Sequence, residues 1–268
     1  VLRLMGAGVF RPNNPVPGME LAGVVESVGN DVTGIQPGDE VFGWCEGAFA
    51  ECASTREGSV VPKPAGLSHV EAAAVPVAGF TALQGLRDLG HIQPGHRVLI
   101  IGASGGVGTF AVQIAKSFDA EVTGVCSTRN LEMVAGIGAD HVLDYTKDDL
   151  NAGGHKYDII FQLAGTASPL KLRQLLATKG TLVLSSGMGR LSGIDRIIKA
   201  LIASRFVSQR LVTWVTKSNY EDLVFLTGLI EAGKLTPVID RQYALSETPE
   251  AISLVEGGHT RGKVVVTP

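Results

Sequence analysis

Short apolar runs recur along the second half of the chain, and longer segments with helical periodicity separate them. The runs lie at residues 97–101, 121–125, 141–143, 157–162, 180–185 and 210–215. Strands that alternate with helices predict right-handed crossovers and a parallel sheet covered on both faces. We therefore predict a doubly wound α/β domain with the strand order 3-2-1-4-5-6.

The helices of this pattern carry apolar residues at spacings of three and four, as in residues 110–116 and 130–137. A further helix is predicted near residues 220–232. Residues 194–202 are amphipathic and locally basic, which also suits a membrane-surface helix. The preferred interpretation of that segment is a helix with one solvated face and one apolar face packed on the core.

The N-terminal part of the chain has a different pattern of apolar residues and turn residues. From residue 18 to about residue 63, short apolar runs are interrupted by Gly and Pro, which is typical of β-rich structure with tight turns. After Pro237 the same strand-like, turn-rich pattern returns. The domains predicted are residues 1–75 together with 236–268, and residues 76–235.

The composition is that of a globular, glycine-rich protein. Of 268 residues, 45% are apolar and 34 are Gly, which excludes a disordered chain. The 23 basic and 26 acidic residues give a formal charge of −3, so no basic excess is available for nucleic acid or an anionic membrane. Three cysteines are too few for a disulfide framework and indicate a reducing compartment. We predict the cytoplasm, with targeting to an organelle as the alternative.

The longest uncharged stretch, residues 98–115, approaches the length of a membrane span. It contains several glycines together with Ser104, Thr109 and Gln113, so it is better interpreted as a strand, a turn and a helix. No transmembrane segment is predicted. No secretory leader is recognised at the amino end, which begins with Val1.

A glycine-rich turn joins the first of these strands to the helix that follows it. Glycine lets the backbone turn sharply and approach a pyrophosphate, which the amides and dipole of a helix N-terminus stabilise. The alternative is a tight turn needed only for packing, and the alternating strands and helices that follow disfavour it. The residues predicted to bind the nucleotide here are Ala103, Ser104, Gly105, Gly106, Val107 and Gly108.

The end of the second strand indicates which nucleotide is bound. An acidic side chain there would hold the adenosine ribose, but the chain has Ser127 and Arg129 instead. A guanidinium and nearby hydroxyls suit a 2′-phosphate, so we predict NADPH rather than NADH. Taken alone, Arg129 is equally well explained as a surface arginine. Cys126 is interpreted as a buried strand-end residue and not as a reactive thiol.

At this point the chain resembles a known family. The spacing of a quinone oxidoreductase/ζ-crystallin signature is matched by Gly95, His96, Leu99, Ala103–Gly106, Gly108, Gln113 and Lys116. Further matching segments are residues 17–23, 37–43 and 262–263. The chain is thus similar over nearly its whole length to the zinc-independent branch of the medium-chain dehydrogenases/reductases.

The resemblance implies a GroES-like β domain and a Rossmann domain, with NADPH reducing a quinone or an activated alkene between them. The partner implied is a small-molecule quinone or enone, and dimerisation through the edge of the Rossmann sheet is a family expectation. The family ordinarily has more chain before the segment that matches residues 1–11. We therefore expect the sequence to be N-terminally truncated and its GroES-like domain to be incomplete.

Several site residues are carried over by the resemblance alone. Thr81 should approach the nicotinamide, while Tyr145 and Lys116 should lie toward the adenosine phosphate. Each has a structural alternative: a capping threonine, a half-buried tyrosine and a solvated lysine. Further residues expected to bind or leave room for the cofactor are Gly165, Ser186, Gly187 and Lys263.

No metal site is predicted. Zinc-dependent relatives place a histidine where this chain has Met19, and a thioether is a poor zinc ligand. The six histidines fall into no ligand cluster. No catalytic residue is assigned either, because no spacing singles out one proton donor among Glu20, Cys45, Glu46 and Tyr243.

The leading hypothesis is an NADPH-dependent, metal-free reductase of quinones or α,β-unsaturated carbonyls. The alternative from another class is a non-catalytic NADPH-binding or structural module, or an inactive fragment. A zinc-type alcohol dehydrogenase is a third hypothesis, which Met19 disfavours.

Overall fold

The computed structural model describes residues 15–150, 154–165, 167–185 and 208–268. The sequence predictions for residues 1–11 and 194–202, and those for Ser186 and Gly187, lie outside these ranges. The chain divides into two compact units. One unit comprises residues up to Phe80 together with Lys217–Pro268, and the other is Thr81–Thr216.

The second unit is built on a six-stranded sheet. Its strands are β4 (Arg97–Ile101), β5 (Glu121–Cys126), β6 (His141–Asp144), β7 (Tyr157–Gln162), β8 (Leu176–Ser185) and β9 (Arg210–Trp214). All neighbouring pairs are parallel, and the spatial order is β6-β5-β4-β7-β8-β9. The predicted doubly wound sheet with the order 3-2-1-4-5-6 is therefore confirmed.

The central strands of this sheet are mostly apolar because both faces are covered. In β4, Val98, Leu99 and Ile100 are fully buried, as expected of a parallel strand between two helical layers. Helices described in the unit include α3 (Gly106–Ser117), α4 (Leu131–Gly136) and α5 (Pro169–Arg173). The core on one side of the sheet contains Leu99, Val125, Ile160, Leu172 and Leu182.

A helical segment enters the second unit from its N-terminal side. α2 (Pro76–Leu83) continues into a π-helical segment at Gln84–Leu89. This backbone approaches the sheet very closely, since a Cβ at Gly85 would lie 2.5 Å from Cζ of Phe161. Glycine at this position lets the segment pack against β7.

The first unit has a three-stranded antiparallel sheet and a separate parallel pair. The sheet is β1 (Glu20–Val24), β2 (Glu40–Trp44) and β3 (Val60–Pro62), and the pair is β10 (Ile239–Ala244) and β11 (Lys263–Thr267). Its helices are α1 (His69–Ala73), α6 (Tyr220–Glu231) and α7 (Thr248–Glu256). Ser68 caps α1 in a capping box with Glu71.

The boundaries between the units differ from the domain boundaries predicted from the sequence. The chain leaves the second unit after Thr216 and not after residue 235. The reason is that α6 packs within the first unit. Its Leu226 side chain lies close to Gly79, and a Cβ at Gly79 would be 2.6 Å from Leu226 Cδ1. No helix of the described residues is long and apolar enough to cross a membrane.

Candidate functional site

The glycine-rich turn forms between the end of β4 and the start of α3. Gly102 has a φ of +93°, in the left-handed region that favours glycine, and its carbonyl accepts from the amide of Gly105 at 3.1 Å. A Cβ at Gly108 would lie 2.0 Å from the Gly102 oxygen. The first turn of α3 therefore rests directly on the end of the strand, and only glycine fits at residue 108.

The N-terminus of α3 is left open by this arrangement. Its N-cap residue is Gly105, so no side chain caps the first amides of the helix. A Cβ at Gly105 would meet nothing nearer than the Gly102 oxygen at 3.5 Å, which is an ordinary contact. Free amides at the positive end of a helix dipole can bind a phosphate group. Gly105 thus leaves space that the described residues do not fill.

Ala103 has a structural position within the turn. Its side chain is fully buried, and its amide donates to the carbonyl of Val125 at 3.0 Å. A Cβ at Gly124 would lie 3.1 Å from Cβ of Ala103, so the turn packs tightly on β5. Among the residues predicted from the turn, Ser104, Gly105, Gly106 and Val107 are partly exposed.

Polar side chains follow β5 at the same edge of the sheet. Ser127 precedes a 3₁₀ turn at Thr128–Asn130, in which Arg129 is exposed. The Nδ2 of Asn130 donates to Ser104 Oγ at 3.0 Å and to Ser127 Oγ at 3.3 Å. The structure therefore brings together the two segments that the sequence selected. Sequence reasoning missed the residue that links them, Asn130.

Asp144 ends β6 and is a second residue that the sequence analysis did not select. Its carboxylate accepts from the hydroxyl of Thr128, and also from the amide and hydroxyl of Thr146 at 3.0 and 2.7 Å. The hydrogen bond from Thr128, followed by those from Thr146 and the charge of Lys147, lowers the pKa of Asp144 to about 2, against its partial burial. The Asp-x-Thr spacing is the one signal of this turn in the sequence.

Cys126 and Tyr145 lie beside Asp144. Cys126 is 1% exposed, and burial, helped by the charge of Asp144, raises the pKa of its thiol to about 11. The interpretation of Cys126 as a buried strand-end residue is confirmed. Tyr145 donates its amide to the carbonyl of Cys126 at 3.1 Å, and its side chain is 59% exposed. Tyr145 thus lies at the carboxyl edge of β6, next to the end of β5.

Lys116 does not lie where the family resemblance suggested. It is near the C-terminal end of α3, and its Nζ donates to the carbonyl of Ala120 at 3.0 Å and to both carboxylate oxygens of Asp140 at 2.8 Å. Ala120 and Asp140 precede β5 and β6, so this ion pair is at the amino edge of the sheet. The prediction that Lys116 lies toward the adenosine phosphate is wrong, because the opposite end of α3 faces that edge.

Two further predicted residues are found in the second unit. Thr81 is buried, and its Oγ1 lies 3.0 Å from Oγ1 of Thr216. Gly165 follows β7 with a φ of +79°, and a Cβ there would have only Ile101 Cγ2 within 4.0 Å. Among the residues that the structure describes, Gly165 therefore leaves open space beside the end of β4.

In the first unit, Glu20 is the best-anchored of the candidate proton donors. Its carboxylate accepts from the Val77 amide at 2.9 Å and from Nζ of Lys263 at 2.7 Å. The ion pair is one in which both side chains are largely buried. Lys263 was expected to bind the cofactor, and in the structure its ammonium pairs with Glu20.

The other candidate donors gain no special chemistry from the fold. Burial, with the charge of Glu46, raises the pKa of Cys45, so the thiol stays protonated at neutral pH. The Tyr243 hydroxyl accepts from Arg241 at 3.3 Å. Within the described part of the chain, no group of three or more His, Cys, Asp or Glu side chains could hold a metal ion. Met19 is 57% exposed.

Comparison with known proteins gives consistent matches in both units. The model of the alcohol dehydrogenase GroES-like domain matches residues 3–83, and that of the zinc-binding dehydrogenases matches residues 137–266. The mitochondrial NAD(P)H oxidoreductase RTN4IP1 of Bos taurus is 35% identical over 276 residues, covering 93% of this chain and 69% of that protein.

Two other similar proteins carry more specific names. The 2-methylene-furan-3-one reductase of Solanum lycopersicum is 34% identical, over 96% of this chain and 64% of its own length. The crystal structure of Escherichia coli quinone oxidoreductase complexed with NADPH superposes with a TM-score of 0.81 at 26% identity, covering 97% of this chain and 86% of that one.

The fold and these matches define a medium-chain dehydrogenase/reductase, with a GroES-like unit and a Rossmann unit. Within that class, the chain belongs to the zinc-independent, quinone oxidoreductase-like family. The resemblance inferred from the signature between Gly95 and Lys116 is thereby confirmed.

The low pKa of Asp144 leads to a prediction about pH and stability. Because the folded pKa of about 2 lies below the ordinary value of 3.8, the ionised carboxylate stabilises the fold above about pH 4, and this contribution is lost as the pH falls through 2. Asp144→Asn should lower the melting temperature at pH 7, and its difference from wild type should shrink between about pH 4 and 2. A thermal melting series over that range measures it.

The matched variant for this series is Thr128→Val, which removes the main hydrogen bond to Asp144. The pKa of Asp144 should then rise toward its ordinary value, so the pH range over which the stabilisation is lost should become narrower. If the difference between Asp144→Asn and wild type stayed constant down to about pH 2, the charge of Asp144 would not be the stabilising feature.

Proposed function

We propose that the chain is an NADPH-dependent reductase that transfers hydride to a quinone or an α,β-unsaturated carbonyl without a metal. The observation that carries this proposal is the uncapped N-terminus of α3 at Gly105, next to Ser127 and Arg129 at the end of β5. A pyrophosphate and a 2′-phosphate differ in position along a dinucleotide, and these two segments supply one site for each.

The pyrophosphate would lie against the turn between β4 and α3. The amides of the first helical turn would donate to its oxygens, and the hydroxyl of Ser104 would add a side-chain donor. The open space at Gly105, where a Cβ would have only an ordinary contact, supports the approach of a ligand to this backbone. The fit therefore depends on a residue without a side chain.

The 2′-phosphate would lie at the end of β5. Arg129 would supply a positive charge, and charge-assisted hydrogen bonds to phosphate are stronger than neutral ones. The carboxylate at the end of β6, that of Asp144, already accepts hydrogen bonds from Thr128 and Thr146. It is therefore engaged within the protein and not offered to a ribose hydroxyl, which supports NADPH over NADH.

The chemistry proposed is hydride addition to a polarised carbonyl system. When bound, NADPH would supply the hydride from its dihydronicotinamide ring. The substrate then also needs a proton on oxygen or carbon, and the chain assigns that role to no single residue. Met19, in place of a zinc-binding histidine, supports a reaction without a Lewis acid.

The names of the relatives support the same substrate class. They describe an NAD(P)H oxidoreductase, an enone reductase and a quinone oxidoreductase bound to NADPH. A quinone contains the same unsaturated carbonyl unit as an enone, so one reaction type covers both. The cytoplasm stays a prediction, and the bovine relative is a mitochondrial protein by name.

A turnover assay tests this proposal directly. The purified chain should oxidise NADPH with a small 1,4-quinone or an enone in the presence of a chelator, and it should prefer NADPH over NADH. The decay of NADPH absorbance measures it. Binding of NADPH with a rise in melting temperature, but without turnover of any acceptor, would instead support the non-catalytic module. Loss of activity on chelation would contradict the metal-free mechanism.

Gly105 and Gly108 should respond differently to substitution. Gly105→Val introduces no backbone clash, so the melting temperature should change by only a few degrees, while NADPH and NADH binding are both lost because the side chain fills the phosphate space. Gly108→Ala must displace the Gly102 carbonyl and should lower the melting temperature strongly. Calorimetric titration and thermal melting measure the two effects. Normal dinucleotide binding by Gly105→Val would contradict the assignment of this turn.

Arg129→Ala should weaken NADPH binding roughly ten- to a hundredfold and leave NADH binding nearly unchanged, because only NADPH has the 2′-phosphate. Dissociation constants for both dinucleotides measure this selectivity. Arg210→Ala is the matched control, since Arg210 is exposed at the amino end of β9, at the other edge of the sheet. Equal losses for NADPH and NADH in Arg129→Ala would remove Arg129 from the phosphate site.

A further inference from the structure

Asn130 lies behind the proposed cofactor site and joins its two halves. It ends the 3₁₀ turn after β5 and is only 4% exposed. Its Nδ2 donates to Ser104 Oγ, in the glycine-rich turn, at 3.0 Å and to Ser127 Oγ, at the end of β5, at 3.3 Å. One buried amide therefore contacts a hydroxyl from each of the two phosphate-binding segments.

These contacts determine what the two serine hydroxyls can do. A hydroxyl oxygen that accepts a hydrogen bond keeps its own proton for another acceptor. Both serines are partly exposed, and within the described ranges neither Oγ has a hydrogen-bond partner other than Asn130. Their protons are thus available to a ligand. Thr128 differs, because its hydroxyl donates to Asp144 within the protein.

The direction of these hydrogen bonds follows from the burial of the other amide atom. Oδ1 of Asn130 is buried and has no hydrogen-bond partner among the residues that the structure describes. The reversed amide would place two N–H donors at that position without an acceptor. Buried donors without a partner are rarer in proteins than under-satisfied carbonyl oxygens. Asn130 therefore presents its donors, and not its acceptor, to the two serines.

We propose that Asn130 is a positioning residue that orients Ser104 and Ser127 as outward hydrogen-bond donors to the phosphates of a dinucleotide. Ser104 serves the pyrophosphate, which NADPH and NADH share, and Ser127 serves the 2′-phosphate, which only NADPH has. This assignment rests on the proposed function and deepens it. It also explains a buried polar residue that contributes an unsatisfied atom to the fold.

The decisive variant is Asn130→Leu, which has a similar volume and no hydrogen-bond donor. We expect the dissociation constant of NADPH to rise about tenfold, the effect of losing one oriented donor to a charged group. The melting temperature should stay equal or rise, because a buried carbonyl without a partner is removed. A purely structural role for Asn130 would instead lower the melting temperature and leave the affinity unchanged. Isothermal titration calorimetry of the full chain measures the affinity.

Two further variants test the coupling to the serines. Ser127→Ala should weaken NADPH but not NADH, and it should have little further effect in the Asn130→Leu background. Asn130→Asp replaces the donor by an acceptor and a negative charge, so it should weaken NADPH more than Asn130→Leu does. The control is Ser117→Ala, at the other end of α3, where the hydroxyl donates to the Ile114 carbonyl and no ligand is proposed.

Additive losses for Ser127→Ala and Asn130→Leu, or an unchanged affinity in Asn130→Leu, would overturn the positioning role. If Asn130→Leu did not fold, Ser104→Ala and Ser127→Ala would decide, and unchanged NADPH affinity in both would overturn it. A wild-type chain that bound neither dinucleotide would overturn the proposed function and this assignment together. A wild-type chain that bound NADPH, with serine and Asn130 variants that bound it equally well, would overturn this assignment alone.

Discussion

The structure of the second unit depends on one close approach between backbone segments. The carbonyl of Gly102, at the end of β4, lies where a Cβ of Gly108 would come within 2.0 Å. Because Gly108 has no side chain, α3 can begin immediately above the central strand of the sheet. The direction of the helix axis, the exposure of its first amides and the space beside Gly105 all follow from this contact.

Polar side chains behind this turn form hydrogen bonds to the neighbouring loops. Asn130 connects the turn to the end of β5, and Asp144 connects the end of β5 to the end of β6 through Thr128. The two links have opposite polarity. Asn130 donates and leaves the serine hydroxyl protons free, whereas the Asp144 carboxylate accepts the hydroxyl protons of Thr128 and Thr146. The hydroxyls of Ser104 and Ser127 thereby keep their protons at this edge of the sheet, while the Asp144 carboxylate is hydrogen-bonded within the protein.

Local patterns predicted most of the second unit because its physical causes are local. The runs at β4 and β7 are mostly apolar because both faces of a parallel sheet are covered, and the glycine spacing after β4 is needed for the turn itself. The position of Lys116 could not be obtained in this way. Lys116 lies on the helix that follows the glycine-rich turn. Only the length of α3 and the residue at which β6 begins show that Asp140, at the amino edge of the sheet, is its partner.

The sequence by itself determined the alternation of strands and helices, their order in the sheet, the glycine-rich turn and the absence of a carboxylate directly after β5. These depend on residues within a few positions of one another and on chirality rules that hold for any parallel sheet. The tertiary structure alone decided the hydrogen bonds of Asn130 and Asp144 and the unit to which α6 belongs. Those depend on contacts between residues distant in sequence, such as Asn130 with Ser104 and Leu226 with Gly79, and no local pattern records such contacts.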